Sequence, residues 1–319
     1  MEISPSLERW LMDGSDPAVR RRFLLDLKGR NPASPEIRAL DREMLEQGWL
    51  HDILALQQSE GQWNSPVTTP HELYAPKYIS TNFSLLVLAD LGATRETPGI
   101  SKAVELLWSR EGGPEGGYGG SNSEVCFTGN ALRMFLQLGY ADDPRLQRMI
   151  DWLCAAQKAD GGWHCFPSDT GTLDCWEALA AFARLPTNLR SERVTSAIAR
   201  GAEFYLKREL LHEGSDPYAP WTRLHYPVHY YYDYLVGLDV LARLGFARDP
   251  RLEPLLDRLE SRRDQEGRWW LDAVHPDIPA EDEYQIHPPV YPFILEEPGR
   301  PSRWLTLTSL FIRSAAGLE

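Results

Sequence analysis

In 319 residues, 33 basic side chains face 46 acidic ones, a formal charge of -13 that repels a phosphate backbone and argues against nucleic acid as a partner. Hydrophobic residues at 43% and charged residues at 25% are the balance of a globular chain with a sizeable core, which argues against disorder. No run approaches the ~18 to 20 apolar residues of a membrane span, and Met1 to Gly14 lacks a basic start followed by an apolar stretch, so a cytoplasmic protein is expected.

Two kinds of helical segment alternate along the chain. Residues 3–13 read as a first outer helix and 16–29 as a first inner one, opened by Ser15-Asp16-Pro17, where Asp can cap orphan amides and Pro suits the first turn. The segment 35–57 is outer and ends in QQSEGQW, Gln57 to Trp63; 79–91 is inner; 98–110 is outer, followed by a degenerate glycine-aromatic copy at Gly116 to Tyr118. Residues 126–138 are inner. The outer segment 142–158 starts at Asp142-Asp143-Pro144 and puts Leu146, Met149, Ile150, Leu153 and Cys154 on one stripe, the spacing of a helix half facing solvent. It ends in QKADGGW, Gln157 to Trp163.

The second half repeats the scheme: 174–185 inner, 190–212 outer, an eroded motif near Pro217 to Trp221, 231–244 inner, 249–263 outer, and RDQEGRW from Arg263 to Trp269. A Pro-rich, acidic excursion over 270–303 precedes the last inner segment, 303–316, and is a candidate lid. Four of the inner segments, Asn82 to Leu91, Gly129 to Leu138, Glu177 to Leu185 and Leu235 to Leu244, are apolar around most of their circumference and end at Gly or Pro, as buried helices do. The chain is therefore expected to be one all-α domain over 1–319, an α/α toroid of about six inner and six outer helices.

The repeated pattern Gln/Arg-x-x-x-Gly-x-Trp has a structural reading: Gly permits a tight turn after the outer helix, the Gln side chain bonds exposed backbone, and Trp packs back on the helix end. With helical hairpins between its copies, it resembles the repeats of squalene-hopene cyclases and of protein farnesyl- and geranylgeranyltransferase β subunits. The resemblance covers almost the whole chain and implies a prenyltransferase-like or terpenoid cyclase-like enzyme acting on an isoprenoid or similar hydrophobic substrate, such as a prenyl diphosphate. The acidic motifs of the cyclases are absent, since Asp142-Asp143 is the one Asp-Asp pair, Ala141 precedes it and Leu146 follows.

Prenyltransferase β subunits hold zinc with an Asp, a Cys and a His near the starts of inner helices. The resemblance implies Cys126, Asp174 and His229 as the matching positions here; Cys165, in the loop after Trp163 that leads to the same rim, completes the candidate set, with Glu124 and His164 in reserve. Cys175, one residue beyond Asp174, is expected to face elsewhere, and Cys154 to belong to an outer helix. Four cysteines within one 50-residue window are too few for a disulfide framework and read as free thiols or metal ligands. Soft thiolates with an imidazole and a carboxylate suit catalytic zinc.

Eleven Trp, 13 Tyr and 10 Phe call for a wide core or an aromatic-lined cavity. HYPVHYYYDY, His225 to Tyr234, is the densest such run. Asp233, His225 and Tyr231 are read as candidate catalytic residues, and Tyr230, Tyr232, Tyr234, Trp176 and Arg223 as candidate substrate contacts, with Arg223 placed for diphosphate oxygens. Two other readings fit the same residues: a non-catalytic binder of a hydrophobic ligand, and a carbohydrate-active α/α barrel with paired carboxylates.

Overall fold

The computed structural model describes residues 3–63, 67, 72, 80–111, 117–119, 124–213, 218–229, 231–274 and 295–318. Within them the helices are, in chain order, α1 (Pro5–Met12), α2 (Pro17–Asp26), α3 (Pro35–Glu46), α4 (Trp49–Ala55), α5 (Thr81–Leu91), α6 (Ile100–Arg110), α7 (Val125–Gln137), α8 (Arg145–Ala156), α9 (Glu177–Arg184), α10 (Glu192–Lys207), α11 (Tyr234–Arg243), α12 (Glu253–Ser261) and α13 (Arg303–Ala316).

The burial of each helix follows its composition. Of the eleven residues of α5, ten are buried, whereas α8 buries only the stripe Leu146, Met149, Ile150 and Leu153. The inner helices α2, α5, α7, α9, α11 and α13 pack side by side, and α13 returns to α2; α2, with Arg20 to Arg22 in its middle, buries only five of its ten residues. Arg21 of α2, lying against Gly92 at the end of α5, closes the ring. The half-exposed helices pack outside it, α3 on α2, α8 on α7 and α10 on α9. The fold is an all-α toroid of two concentric layers. No helix among the described residues is long and apolar enough to cross a membrane.

Three tryptophans hold the hairpins by one geometry. The indole N–H groups of Trp63, Trp163 and Trp269, all fully buried, donate to the carbonyls of Ile53, Leu153 and Leu259 at 2.7, 2.8 and 2.7 Å, each ten residues upstream on the preceding outer helix. Gln57 and Gln157 donate to the carbonyls of Gly61 and Gly161, and also to Gly99 and Ala197 on the next outer segment. One amide thus satisfies the turn and ties neighbouring repeats together.

The expected outer helix 35–57 is two helices. Gly48 has φ +87, a Cβ there would lie 2.5 Å from Asp16 Oδ2, and that oxygen accepts the Trp49 N–H at 2.7 Å while Asp16 Oδ1 accepts from Ala18. A single carboxylate therefore caps α2 and restarts α4, so the chain must break between them. The Pro-rich excursion is anchored at its base by a two-residue antiparallel ladder, β1 (Trp269–Trp270) with β2 (Pro301–Ser302); its centre, 275–294, lies outside the described residues.

The middle of the ring is not open throughout. The segment 224–229, with a cis Tyr226–Pro227 bond, runs through the interior, and Leu224, His225, Tyr226 and His229 are at most 1% exposed. Its carbonyls are satisfied by inner-helix side chains: Asn130 donates to His229 O at 2.7 Å and Arg133 to Val228 O at 3.1 Å. What remains is a central cavity of about 400 Å³, lined by α2, α5, α7, α9, α11, α13 and this segment.

Candidate functional site

The cavity wall contains a histidine fixed by a carboxylate. Asp233 is the N-cap of α11: its Oδ1 accepts the Val236 N–H at 2.8 Å, while Oδ2 accepts the backbone N–H of His225 at 3.0 Å and its Nδ1 at 2.6 Å. In a neutral ring, a carboxylate accepting at Nδ1 places the proton there and leaves Nε2 as a lone pair. Nε2 is buried and has no hydrogen-bond partner among the described residues. His225 and Asp233 both line the cavity, with Trp176, Tyr226 and Trp304. Tyr226 stacks on Trp304 at 5.1 Å.

Charged side chains, with Gln137, occupy the far end of the same cavity. Asp26, Asp90, Gln137, Arg184 and Arg243 each sit at or within one residue of the C-terminal end of an inner helix and line the cavity together with Arg21, Arg22, Arg133 and Asp239. Asp90 accepts from Gln137 at 2.9 Å and faces Arg133 at 3.9 Å; Asp239 accepts from Arg243 at 2.8 Å; Asp26 accepts from Arg22 at 3.3 Å.

A second cluster lies at the start of α7. The Cys126 N–H donates to Cys165 Sγ at 3.3 Å, the Cys126 thiol reaches Glu124 Oε2 at 3.5 Å, and the Cys175 thiol donates to Cys165 Sγ at 3.4 Å. Because its neighbours Cys126 and Cys175 donate to it, Cys165 is held well below the ordinary thiol range, while Cys126 and Cys175 are pushed up. Glu177, fully buried beside them, is raised far above a normal carboxyl by desolvation and then by Cys165.

The structure redistributes several expected ligands. Among the described residues, the group whose donor atoms lie close enough to share an ion is Glu124, Cys126 and Cys165, all within 4.8 Å of one another; Asp174 and His229 lie outside it. Asp174 is exposed and accepts from the Trp221 indole at 2.8 Å, because α9 begins at Glu177 and leaves Asp174 in a turn. His229 is buried with its ring edge-on to Phe83 at 5.3 Å. Cys175, expected to face elsewhere, joins the thiols. His164 accepts from the Phe166 N–H, and Cys154 is partly buried on α8.

The aromatic run divides in the same way. Tyr231 is edge-on to His225 at 6.4 Å. Tyr232 is buried with its hydroxyl donating to Leu210 O at 3.0 Å, and the Tyr234 ring lies under Arg258; neither lines the central cavity. Trp176 does, with the Arg133 guanidinium 5.2 Å above its ring. Arg223 lines a separate hollow with Arg258, Arg262 and Asp272. Tyr230 lies outside the described residues. Sequence reasoning passed over Arg133, Arg184, Asp239 and Arg243, although a charge in the last turns of an otherwise apolar helix was a visible signal.

No protein-family model matches the chain, and no curated protein matches it. Among solved structures it is similar to the type II terpene cyclase MstE from Scytonema. A single-site variant of that enzyme in complex with geranylgeranyl dihydroxybenzoate as substrate aligns at 13% identity and a TM-score of 0.48, covering 95% of this chain and 87% of that one. The apo enzyme gives 13%, 0.47, 94% and 86%. A second variant, with merosterolic acid A as product, gives 12%, 0.48, 94% and 87%.

Proposed function

We propose that this chain is an enzyme of the terpenoid cyclase or prenyltransferase type, acting on a prenylated or similarly apolar small molecule in the central cavity, with His225 as the proton-transferring group. The observation that carries this reading is the His225–Asp233 pair: Nδ1 is committed at 2.6 Å, the buried Nε2 has no partner among the described residues, and His225 lines a cavity of about 400 Å³. Pockets of roughly 300 to 1,000 Å³ suit small ligands, and a buried imidazole held in one tautomer by a carboxylate is the arrangement of a general base. The substrate class comes from the resemblance of the Gln-x-x-x-Gly-x-Trp repeats. Incubation with labelled prenyl diphosphates and prenylated aromatic acids tests it. The expected result is a product that His225→Gln abolishes; binding without turnover by any chain length would favour a non-catalytic binder instead.

A second proposal concerns metal. Glu124, Cys126 and Cys165, with Cys175 adjacent, combine soft sulfur with one carboxylate, a donor set that fits zinc. When bound, zinc would supply Lewis acidity and a lowered pKa for a coordinated group. Elemental analysis of the purified protein should find one zinc per chain, lost in Cys126→Ser; a metal-free protein with all four thiols titratable would end this reading.

A further inference from the structure

We propose that Arg184 holds an oxyanion, the phosphoryl or carboxylate head of a ligand whose apolar remainder lies in the central cavity. The inference rests on the reading of that cavity as a ligand site, and it assigns the ligand's charged end.

Five guanidinium groups line the cavity: those of Arg21, Arg22, Arg133, Arg184 and Arg243. The C-terminal carbonyl ends of five inner helices converge on the same rim, and their partial negative charge accounts for a local surplus of cations. Four of the five are matched by carboxylates. Arg22 pairs with Asp26, Arg243 with Asp239, Arg21 with Asp41 at 2.6 Å, and Arg133 faces Asp90 at 3.9 Å. The fourth lining carboxylate, Asp233, is used up by His225 and the cap of α11.

Arg184 alone is left over. It has no hydrogen bond or ion pair among the described residues, although it is the last residue of α9 and lies within the electrostatic reach of Asp90, Asp239, Arg133 and Arg243. Loss of water, with Arg243 next in effect, lowers its pKa to about 9, still above neutrality, so the group remains a cation. Arg184 is partly exposed, and an unmatched charge with reduced access to water at a cavity wall is relieved by an arriving anion. The planar fork suits a carboxylate or a phosphoryl group, each through two parallel N–H donors. His225 stands on the wall of the same cavity, so a ligand anchored by its head at Arg184 presents its body toward the dyad.

The test uses the full chain and isothermal titration with farnesyl diphosphate, farnesoic acid and farnesol. Wild type is expected to bind at least one of the two charged probes at least about tenfold more tightly than the alcohol, by the usual strength of charge-assisted hydrogen bonds. Arg184→Gln should remove that margin and leave farnesol binding within about twofold, and Arg184→Lys should restore part of it. Preference for the diphosphate alone identifies a phosphoryl head; equal gains for both acids identify a carboxylate-tolerant site. Arg184→Gln binding the charged probes as wild type does, or a wild type that prefers farnesol, would overturn the inference while the cavity reading stands. Failure of wild type to bind all three would remove both.

Discussion

Asp233 Oδ2 accepts two hydrogen bonds from a single residue, the backbone N–H of His225 at 3.0 Å and its Nδ1 at 2.6 Å. The double contact fixes both the position of the 225 backbone and the orientation of its ring, eight residues before the cap of α11 completes the loop. Nitrogen-15 spectra of the neutral imidazole should therefore show a single Nδ1–H tautomer. Asp233→Asn keeps an acceptor for the cap but turns an amide N–H toward the two His225 donors, so the hold on the tautomer is lost; stability should fall by roughly 1 to 3 kcal/mol, and on the proposed function turnover should fall by about two orders of magnitude or more. A spectrum with mixed tautomers in wild type would contradict this account.

Inner helices α7 and α9 approach each other at Gly129, where an added Cβ would lie 2.5 Å from the carbonyl carbon of Glu177 and 2.7 Å from the Ala178 nitrogen. Backbone cannot give way as a flexible side chain can. Gly129→Ala is expected to cost about 2 kcal/mol or more, at the upper end of overpacking substitutions, read as the midpoint of urea unfolding.

Trp163 combines a fully buried ring with a hydrogen bond to Leu153 O. Trp163→Phe leaves that carbonyl without its donor and opens space between α8, α9 and α10, so a loss of roughly 2 to 4 kcal/mol is expected. The same change at exposed Trp270, whose indole bonds Asp264 on the surface, should cost well under about 1 kcal/mol. Equal losses at both positions would show that the motif tryptophan has no special structural role.

Arg145 lies between Asp143 and Glu105 and over the Trp108 ring at 4.7 Å. Its hydrogen bonds hold both carboxyls below their ordinary values. A depressed folded pKa adds stability above the unfolded pKa, and that stability is lost as pH falls through the folded one. The gap in melting temperature between wild type and Arg145→Gln should thus be largest near pH 7 and close below about pH 4. Partial exposure limits it to the order of 1 kcal/mol. A gap independent of pH would assign the effect to packing on Trp108.

The alternation of all-round apolar and half-apolar helices, and with it the two-layer ring, was legible in the residues, because burial of a helix is written in its own periodicity. The tryptophan motif was legible for a related reason: its partners lie ten residues back or one repeat on, so every copy meets the same geometry. The meeting points across the ring were not. Asp174 and Cys175 are neighbours, and only the start of α9 at Glu177 decides that the thiol joins Cys165 while the carboxylate goes to Trp221.

The amino-acid order by itself thus determined which stretches alternate as inner and outer helical segments, though not the break at Gly48, and which face the outer ones hide. Tertiary structure alone decided that residues 224–229 run through the ring, that Asp233 holds His225, and that Arg184 has no counter-ion among the described residues while its neighbours do. Helix periodicity and repeat spacing are set by contacts close in sequence. The pairing of charges from separate helices depends on the path of one loop and on sub-turn differences in where helices begin, which no local pattern encodes.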